Sequence, residues 1–252
     1  MADATPSLVG AGKTVVYGPV RSRRLGSSLG VNLLPARSKV CNFDCPYCEC
    51  GFNTHRAADA RWPSPDEVAH SLRGALERLP RAPDWITFAG NGEPTMHPRF
   101  PVVVDRVLAA RDDLARAARV GVLSNGLAVG KPAIRDALLR LDARMMKLDP
   151  GPPERVNGLS YDPERLVRKY RALKPYTIQA MVARGTDWDG ASDASLTAWL
   201  PLLSAADPDA VQLYSLDRPP ADPSLQNVSR ERLLAMASAI REVLPRCAVD
   251  VY

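Results

Sequence analysis

Short apolar runs alternate with amphipathic segments along this chain, and that alternation limits its fold more than any other feature. The runs SLGVNLL (28–34), WITFAG (85–90), RVGVLSNG (119–126), RMMKLD (144–149), YTIQAMV (176–182) and AVQLYSL (210–216) have the length and apolar content of strands. Segments 64–79, 100–114, 131–141, 163–173, 194–205 and 229–244 carry helical periodicity, and a last short strand is expected at 247–252. The first helix opens with Ser64 as cap, Pro65 at its first position and Glu67 three residues on, a capping box; Ser229 caps the last. Six strand–helix units in series predict an α/β fold, a partial (βα)6 TIM-like barrel with parallel strands and right-handed crossovers. A doubly wound open sheet is the alternative. One domain is expected over 1–252, with 1–27 an N-terminal extension, 28–216 the six-stranded partial barrel, and 217–252 a C-terminal helix and short strand.

Folds of this kind place their chemistry at the C-terminal ends of the strands. Polar, glycine-rich stretches fall at those ends: the cysteine loop after the first strand, then AGNGEPT, LSNG, KLDPG and YSLDRPP.

The cysteine loop, CNFDCPYCEC (41–50), holds four of the chain's five cysteines. No run is long enough to span a bilayer, and the N-terminus lacks a basic start before an apolar core. A cytoplasmic, thiol-reducing setting is therefore expected, with no membrane partner, and clustered cysteines there point to metal or catalysis rather than disulfides. Cys41, Cys45 and Cys48 have the spacing C-x3-C-x2-C, suited to wrapping one face of an iron–sulfur cluster and leaving one iron open. Structural zinc sites are usually built from two separated pairs, and no second pair exists here; the nearest histidine is His55. A redox dithiol would need only one C-x2-C. The order of preference is cluster, zinc, redox dithiol. Cys50 reads as a neighbouring thiol that does not ligate, and Cys247 as a small apolar residue.

The net charge of +5 comes mostly from arginines scattered beside acids, the pattern of a solvated surface. Arg21, Arg23 and Arg24 in VRSRRLG form the one tight basic group, too small to signal a polyanion surface. GAGKT (10–14) lacks the upstream glycine and strand of a phosphate-binding loop and is set aside.

The cysteine spacing with Tyr47 before the third cysteine resembles the signature of the radical S-adenosylmethionine (radical SAM) superfamily, and other pieces fall in order along nearly the whole chain. AGNGEPT resembles that family's glycine–glutamate motif, LSNG the strand end that contacts the cofactor, and YGPVRSRRLGSSLGVNLLP the branch related to wyosine-base synthetases of tRNA. The resemblance implies a [4Fe–4S] cluster on Cys41, Cys45 and Cys48, whose open iron holds S-adenosyl-L-methionine. One electron, from a flavodoxin- or ferredoxin-type donor, then releases a 5′-deoxyadenosyl radical that takes a hydrogen atom from a substrate. It also implies that Tyr47, Gly90, Asn91, Gly92, Glu93, Ser124 and Asn125 bind the cofactor. No cysteine precedes Cys41, so the second cluster that wyosine synthetases carry has no ligands here, and tRNA is one partner among several.

Polar residues on the later strands are candidates for the substrate side: Lys147 with Asp149, Gln179, Arg184, Gln212 with Tyr214, and Arg218. Gln212 and Tyr214 alternate to one face. Arg184 and Arg218, on loops leaving the same end, are expected to clamp a carboxylate or phosphate of a polar, anionic or nucleotide-like small molecule. The rival functions are an iron–sulfur electron carrier or scaffold, which needs no Glu93, Ser124 or Asn125, and a zinc-bearing RNA-binding module.

Overall fold

The computed structural model describes residues 14–53 and 61–252; residues 10–13 of the GAGKT run and His55 lie outside them. An N-terminal strand unassigned from the sequence, β1 (Val16–Ser22), leads the order. The six expected runs follow as β2 (Gly26–Val31), β3 (Trp85–Phe88), β4 (Arg119–Ser124), β5 (Ala143–Lys147), β6 (Thr177–Met181) and β7 (Ala210–Tyr214), and β8 (Ala248–Val251) closes it. All eight form one sheet in sequence order. Only β1 runs antiparallel, as a hairpin on β2, and β8 adds a parallel strand beyond β7. A doubly wound sheet reverses its strand order at a switch point. Here the order never reverses, so that alternative is excluded.

The sheet is curved. Side chains from β2 through β7, among them Ser28, Thr87, Leu123, Met145, Gln179 and Tyr214, line a single cavity of about 420 Å3. Six strands laid flat would spread over roughly 24 Å, too far for one such cavity, so the strands must bend around it as in an incomplete barrel. Alternation then explains the strand sequences. Ile86, Phe88, Val120, Val122, Met146, Ile178, Ala180, Val211 and Leu213 point outward and are buried in the main core. The intervening residues Thr87, Lys147, Gln179 and Tyr214 face the lumen. The apolar stripe of each strand therefore meets the helices, and the polar stripe makes the site.

The helices are α1 (Pro65–Arg78), α2 (Phe100–Leu114), α3 (Pro132–Leu139), α4 (Pro153–Val156), α5 (Pro163–Tyr170), α6 (Asp193–Ala206) and α7 (Arg230–Val243). The capping box forms as expected: the Glu67 N–H donates to Ser64 Oγ at 3.2 Å, and the Ser64 N–H donates to Glu67 Oε2 at 2.8 Å. Expected helix 163–173 stops at Tyr170 and tightens into a 3-10 turn over Arg171–Leu173. Among the described residues no helix is long and apolar enough to cross a membrane.

Candidate active site at the strand ends

The cysteine loop follows β2 and is braced from within. Lys39 Nζ donates to Asp44 Oδ1 at 3.2 Å and to the Gly51 carbonyl at 2.6 Å. The Asn53 N–H donates to Asp44 Oδ1 at 2.7 Å, and its side chain reaches the Phe43 carbonyl at 2.8 Å. A small second core of Phe43, Cys45, Tyr47, Val156 and Leu225 packs beneath, with Phe43 stacked on Tyr161. Cys41, Cys45, Cys48 and Cys50 all line the cavity. N–H groups are aimed at two of the sulfurs, from Phe43 to Cys41 Sγ (3.4 Å) and from Asn157 Nδ2 to Cys45 Sγ (3.6 Å). Burial pushes the Cys41 thiol up to about 12 and that of Cys45 up to about 11. Cys48 is drawn down to about 6, chiefly by a hydrogen bond from Cys50, with Lys39 also lowering it.

Glu93 organises the next layer. The residue is 3% exposed. Oε1 accepts from the Thr95 N–H, the Thr95 hydroxyl and the Ser124 hydroxyl at 3.0, 2.5 and 2.8 Å; Oε2 accepts from the Asn125 N–H at 2.7 Å. Burial still pushes this carboxyl up, outweighing the donors that pull it down. The group therefore knits the end of β3 to the end of β4. With roughly four lone-pair directions on a carboxylate, the spare acceptor position is on Oε2. Asn125 carries the link on to the cysteines, because its Nδ2 donates to Asn42 Oδ1 at 2.5 Å and approaches Cys41 Sγ at 3.9 Å.

A second buried cluster joins the ends of β5 and β6 to the cysteine loop. Lys147 Nζ lies 2.8 Å from Asp149 Oδ1 and donates to the Tyr214 hydroxyl at 3.0 Å. Asp149 also accepts from the Met181 N–H (2.8 Å), the Tyr47 hydroxyl (2.5 Å) and Asn157 Nδ2 (2.9 Å). Burial alone would lower the lysine, but Asp149 and Tyr214 outweigh it and hold the ammonium charged well above its usual range. The ammonium sits 4.8 Å from the Tyr47 ring centre, a cation–π contact.

The structure gathers most of the sequence candidates: Tyr47, Gly90, Gly92, Glu93, Ser124, Asn125, Lys147, Gln179, Tyr214 and Arg218 line the cavity with the cysteines. Gln212 joins this layer through Gln179 Nε2, which donates to its Oε1 at 2.8 Å. Two candidates stand apart. The Asn91 amide faces away, donating to the Pro35 and Ala36 carbonyls at 3.0 Å each. Arg184 lies off the cavity, tied through its backbone to Gln226 and through its side chain to Asp189 at 3.1 Å. The expected clamp of Arg184 with Arg218 is not formed, and Arg218 itself pairs with Glu49 at 2.8 Å. The role expected of the glycines also changes. A Cβ on Gly90 would meet Asn32 Oδ1 at 2.2 Å, and one on Gly92 the Val40 carbonyl at 1.9 Å, so protein packing already requires both.

Sequence reading missed Asn42, Asn157 and the β1–β2 turn. The turn carried a signal in the VRSRRLG cluster; the asparagines carried none, since Asn42 meets Asn125 and Asn157 meets Cys45 only through the fold. An all-sulfur donor set with N–H groups directed at it suits an iron–sulfur cluster. Among the described residues no three His, Cys, Asp or Glu side chains are gathered closely enough to grip a single metal ion.

No family model matches the chain. The chain is 34% identical over 137 residues to GTPase Obg of Brachyspira hyodysenteriae, covering 54% of this chain and 19% of that protein. It is 32% identical over 135 residues to a UPF0026 protein of Helicobacter pylori, covering 54% and 42%. A UPF0026 protein of Synechocystis matches at 29% over 214 residues, 81% of this chain and 76% of that one. The chain thus spans less than half the length of the first two. Among solved structures, Streptococcus suis SuiB bound to S-adenosylmethionine superposes with a TM-score of 0.60 at 13% identity, over 88% of this chain and 50% of SuiB. Archaeal TYW1 gives 0.54 at 12% over 85% and 71%, and spore photoproduct lyase with a dinucleoside spore photoproduct 0.59 at 10% over 97% and 82%. These neighbours are radical SAM enzymes, and the fold of this chain is their partial barrel.

Proposed function

We propose that the protein is a radical SAM enzyme whose cluster is held by Cys41, Cys45 and Cys48. The observation that carries this reading is the convergence, in the fold of radical SAM enzymes, of those three thiols with Glu93, Ser124 and Asn125 on one cavity wall. Cys41, Cys45 and Cys48 would hold a [4Fe–4S] cluster that, given one electron by an external donor, would supply reductive cleavage of S-adenosyl-L-methionine to methionine and a 5′-deoxyadenosyl group able to take a hydrogen atom from the substrate.

The chain's own residues have separable tasks. The Phe43 N–H and the Asn157 amide steady the charge on the Cys41 and Cys45 sulfurs. Glu93 offers Oε2 to the ammonium of the methionyl group while holding Ser124 and Asn125 in place. Tyr47 closes the cavity floor, keeping water from the reacting centre; its ring is buried and its hydroxyl is committed to Asp149. Lys147, Gln179, Tyr214 and Arg218 meet the substrate, which we take to be polar and anionic, small or nucleotide-like, with tRNA as the larger possibility. The electron donor is of the flavodoxin or ferredoxin type and the setting the reducing cytoplasm. The domain division is a single unit over 1–252.

The test is anaerobic reconstitution with iron and sulfide, reduction by dithionite and addition of S-adenosylmethionine. Formation of 5′-deoxyadenosine by the brown protein is expected. Brown protein without that product would make the chain an electron carrier or scaffold. A colourless protein that retains zinc would make it a zinc-bearing RNA-binding module.

A further inference from the structure

The sheet is open between its edge strands β1 and β8, and beside that opening arginines join the β1–β2 hairpin and the cysteine loop to the segment after β7. Arg23 pairs with Asp217 at 3.0 Å, and Arg218 pairs with Glu49. Arg24 lays its guanidinium over the Tyr214 ring at 4.2 Å. Four arginines, Arg21, Arg23, Arg24 and Arg218, line the cavity at this seam against two carboxylates, Glu49 and Asp217, leaving an excess of two positive charges. The thiols and Glu93 line the same cavity, and Glu49, between Cys48 and Cys50, brings the cysteine loop to the edge of the seam.

Arg24 is the anomalous member. Its Nη1 is buried with no hydrogen-bond partner among the described residues, and no carboxylate pairs with it. A guanidinium cannot discharge itself by losing a proton at any ordinary pH. An enclosed donor on a permanent charge without an acceptor is unfavourable, and an oxyanion is the acceptor that matches its planar fork. The cation–π contact with Tyr214 holds the guanidinium beside the cavity. The contact also joins it to the rest of the site, because Lys147 donates to the Tyr214 hydroxyl and lies over Tyr47 between the second and third cluster cysteines. An anion at the seam is thus anchored at the end of a continuous chain of side chains that begins in the cysteine loop.

We infer that this seam is the substrate's anion subsite, and that Arg24, with Arg21 beside it, grips a phosphate or carboxylate of a small substrate after a slight rotation of the Arg24 side chain. Assigning the anion to the substrate rests on the enzymatic reading above; the subsite itself does not. Its residues replace the Arg184–Arg218 clamp expected from the sequence, since Arg184 stands outside the cavity.

The reconstituted 252-residue chain is titrated anaerobically with inorganic phosphate and, separately, with malonate, and binding is followed calorimetrically. At least one anion should bind wild type, and the preferred one tells phosphate from carboxylate. Arg24→Gln should weaken binding at least tenfold. Arg24→Lys, which keeps the charge and lacks the fork, should fall between, and Arg184→Gln should match wild type. Equal binding by wild type and Arg24→Gln, or no binding of either anion to wild type, overturns the proposal. So does steeply salt-dependent binding of a single-stranded oligonucleotide that Arg21→Gln, Arg23→Gln and Arg24→Gln weaken equally, which would make the seam a nucleic-acid track. Formation of 5′-deoxyadenosine is measured in parallel. Arg24-dependent anion binding without that product defeats the enzymatic reading and leaves the subsite standing; product formation without anion binding does the reverse.

Discussion

Val40 and Gly92 pair backbone to backbone as an isolated parallel bridge. The Glu93 N–H donates to the Val40 carbonyl at 3.0 Å and the Val40 N–H to the Asn91 carbonyl at 2.8 Å. This bridge sets Val40, the residue before Cys41, against Gly92, the residue before Glu93. Thiol and carboxylate are thereby positioned by one short piece of main chain.

Gly92 has φ 135°, and an added Cβ would meet the Val40 backbone itself, which cannot swing aside. Gly92→Ala should therefore cost more than the ~1–3 kcal/mol of backbone strain alone and should lower iron retention after reconstitution. Gly51→Ala is the control: Gly51 has φ 77° with nothing within 4 Å of its added Cβ, so strain is the whole penalty. Urea unfolding and iron analysis read both; equal effects of the two substitutions would show that the bridge is dispensable.

Cys41→Ala, Cys45→Ala and Cys48→Ala should each abolish stable iron binding, whereas Cys50→Ala should keep most of it. The Cys50 thiol donates to the Gly90 carbonyl at 3.2 Å and hydrogen bonds to Cys48, the interactions of a supporting group. Iron content and visible absorption decide the matter, and loss of the cluster in Cys50→Ala alone would reassign the ligands.

Glu93→Gln keeps the shape but puts an NH2 group where a carboxylate oxygen accepts. If the amide nitrogen replaces Oε2 it faces the Asn125 N–H; if it replaces Oε1 it faces three donors. At least one buried donor is left unsatisfied either way, at a cost of ~1–3 kcal/mol for each. The variant should unfold at lower urea and bind S-adenosylmethionine more weakly. Unchanged stability would mean that the carboxylate does not bind the two strand ends together.

Lys147→Met leaves Asp149 buried without its cation, a change worth ~3–5 kcal/mol in comparable pairs. The sign of the pH dependence follows from the raised lysine value. Stabilisation from the pair is complete below the unfolded lysine's value and is lost only as pH rises through the higher folded one. Wild type and variant should therefore differ by the same amount from about pH 6 to pH 9. A difference that fades across that range in urea melts would place a neutral lysine in the folded protein.

What the sequence determined by itself is what short-range physics controls. The six strand runs, the capping box and the three-cysteine spacing each lie within a few residues, where periodicity, a cap or a loop length carries the information. Glu93 and the Ser124–Asn125 pair were legible as polar strand ends, because parallel strands with crossover helices bring such ends to one rim. Tertiary structure decided the pairings across the barrel. Asn157 reaches Cys45 over 112 residues of chain, and β1, weak as a strand on its own, is held by hydrogen bonding to β2. The arginines were sorted in the same way. Arg184 and Arg218 leave the same end of the sheet, yet a local bridge to Gln226 and Asp189 turns the first away. Arg24, 190 positions before Tyr214 in the chain, enters the cavity only because the fold brings the hairpin against the end of β7. Spacing along a chain cannot express such contacts, because the loops between the partners are free to close in many ways until the packed sheet selects one.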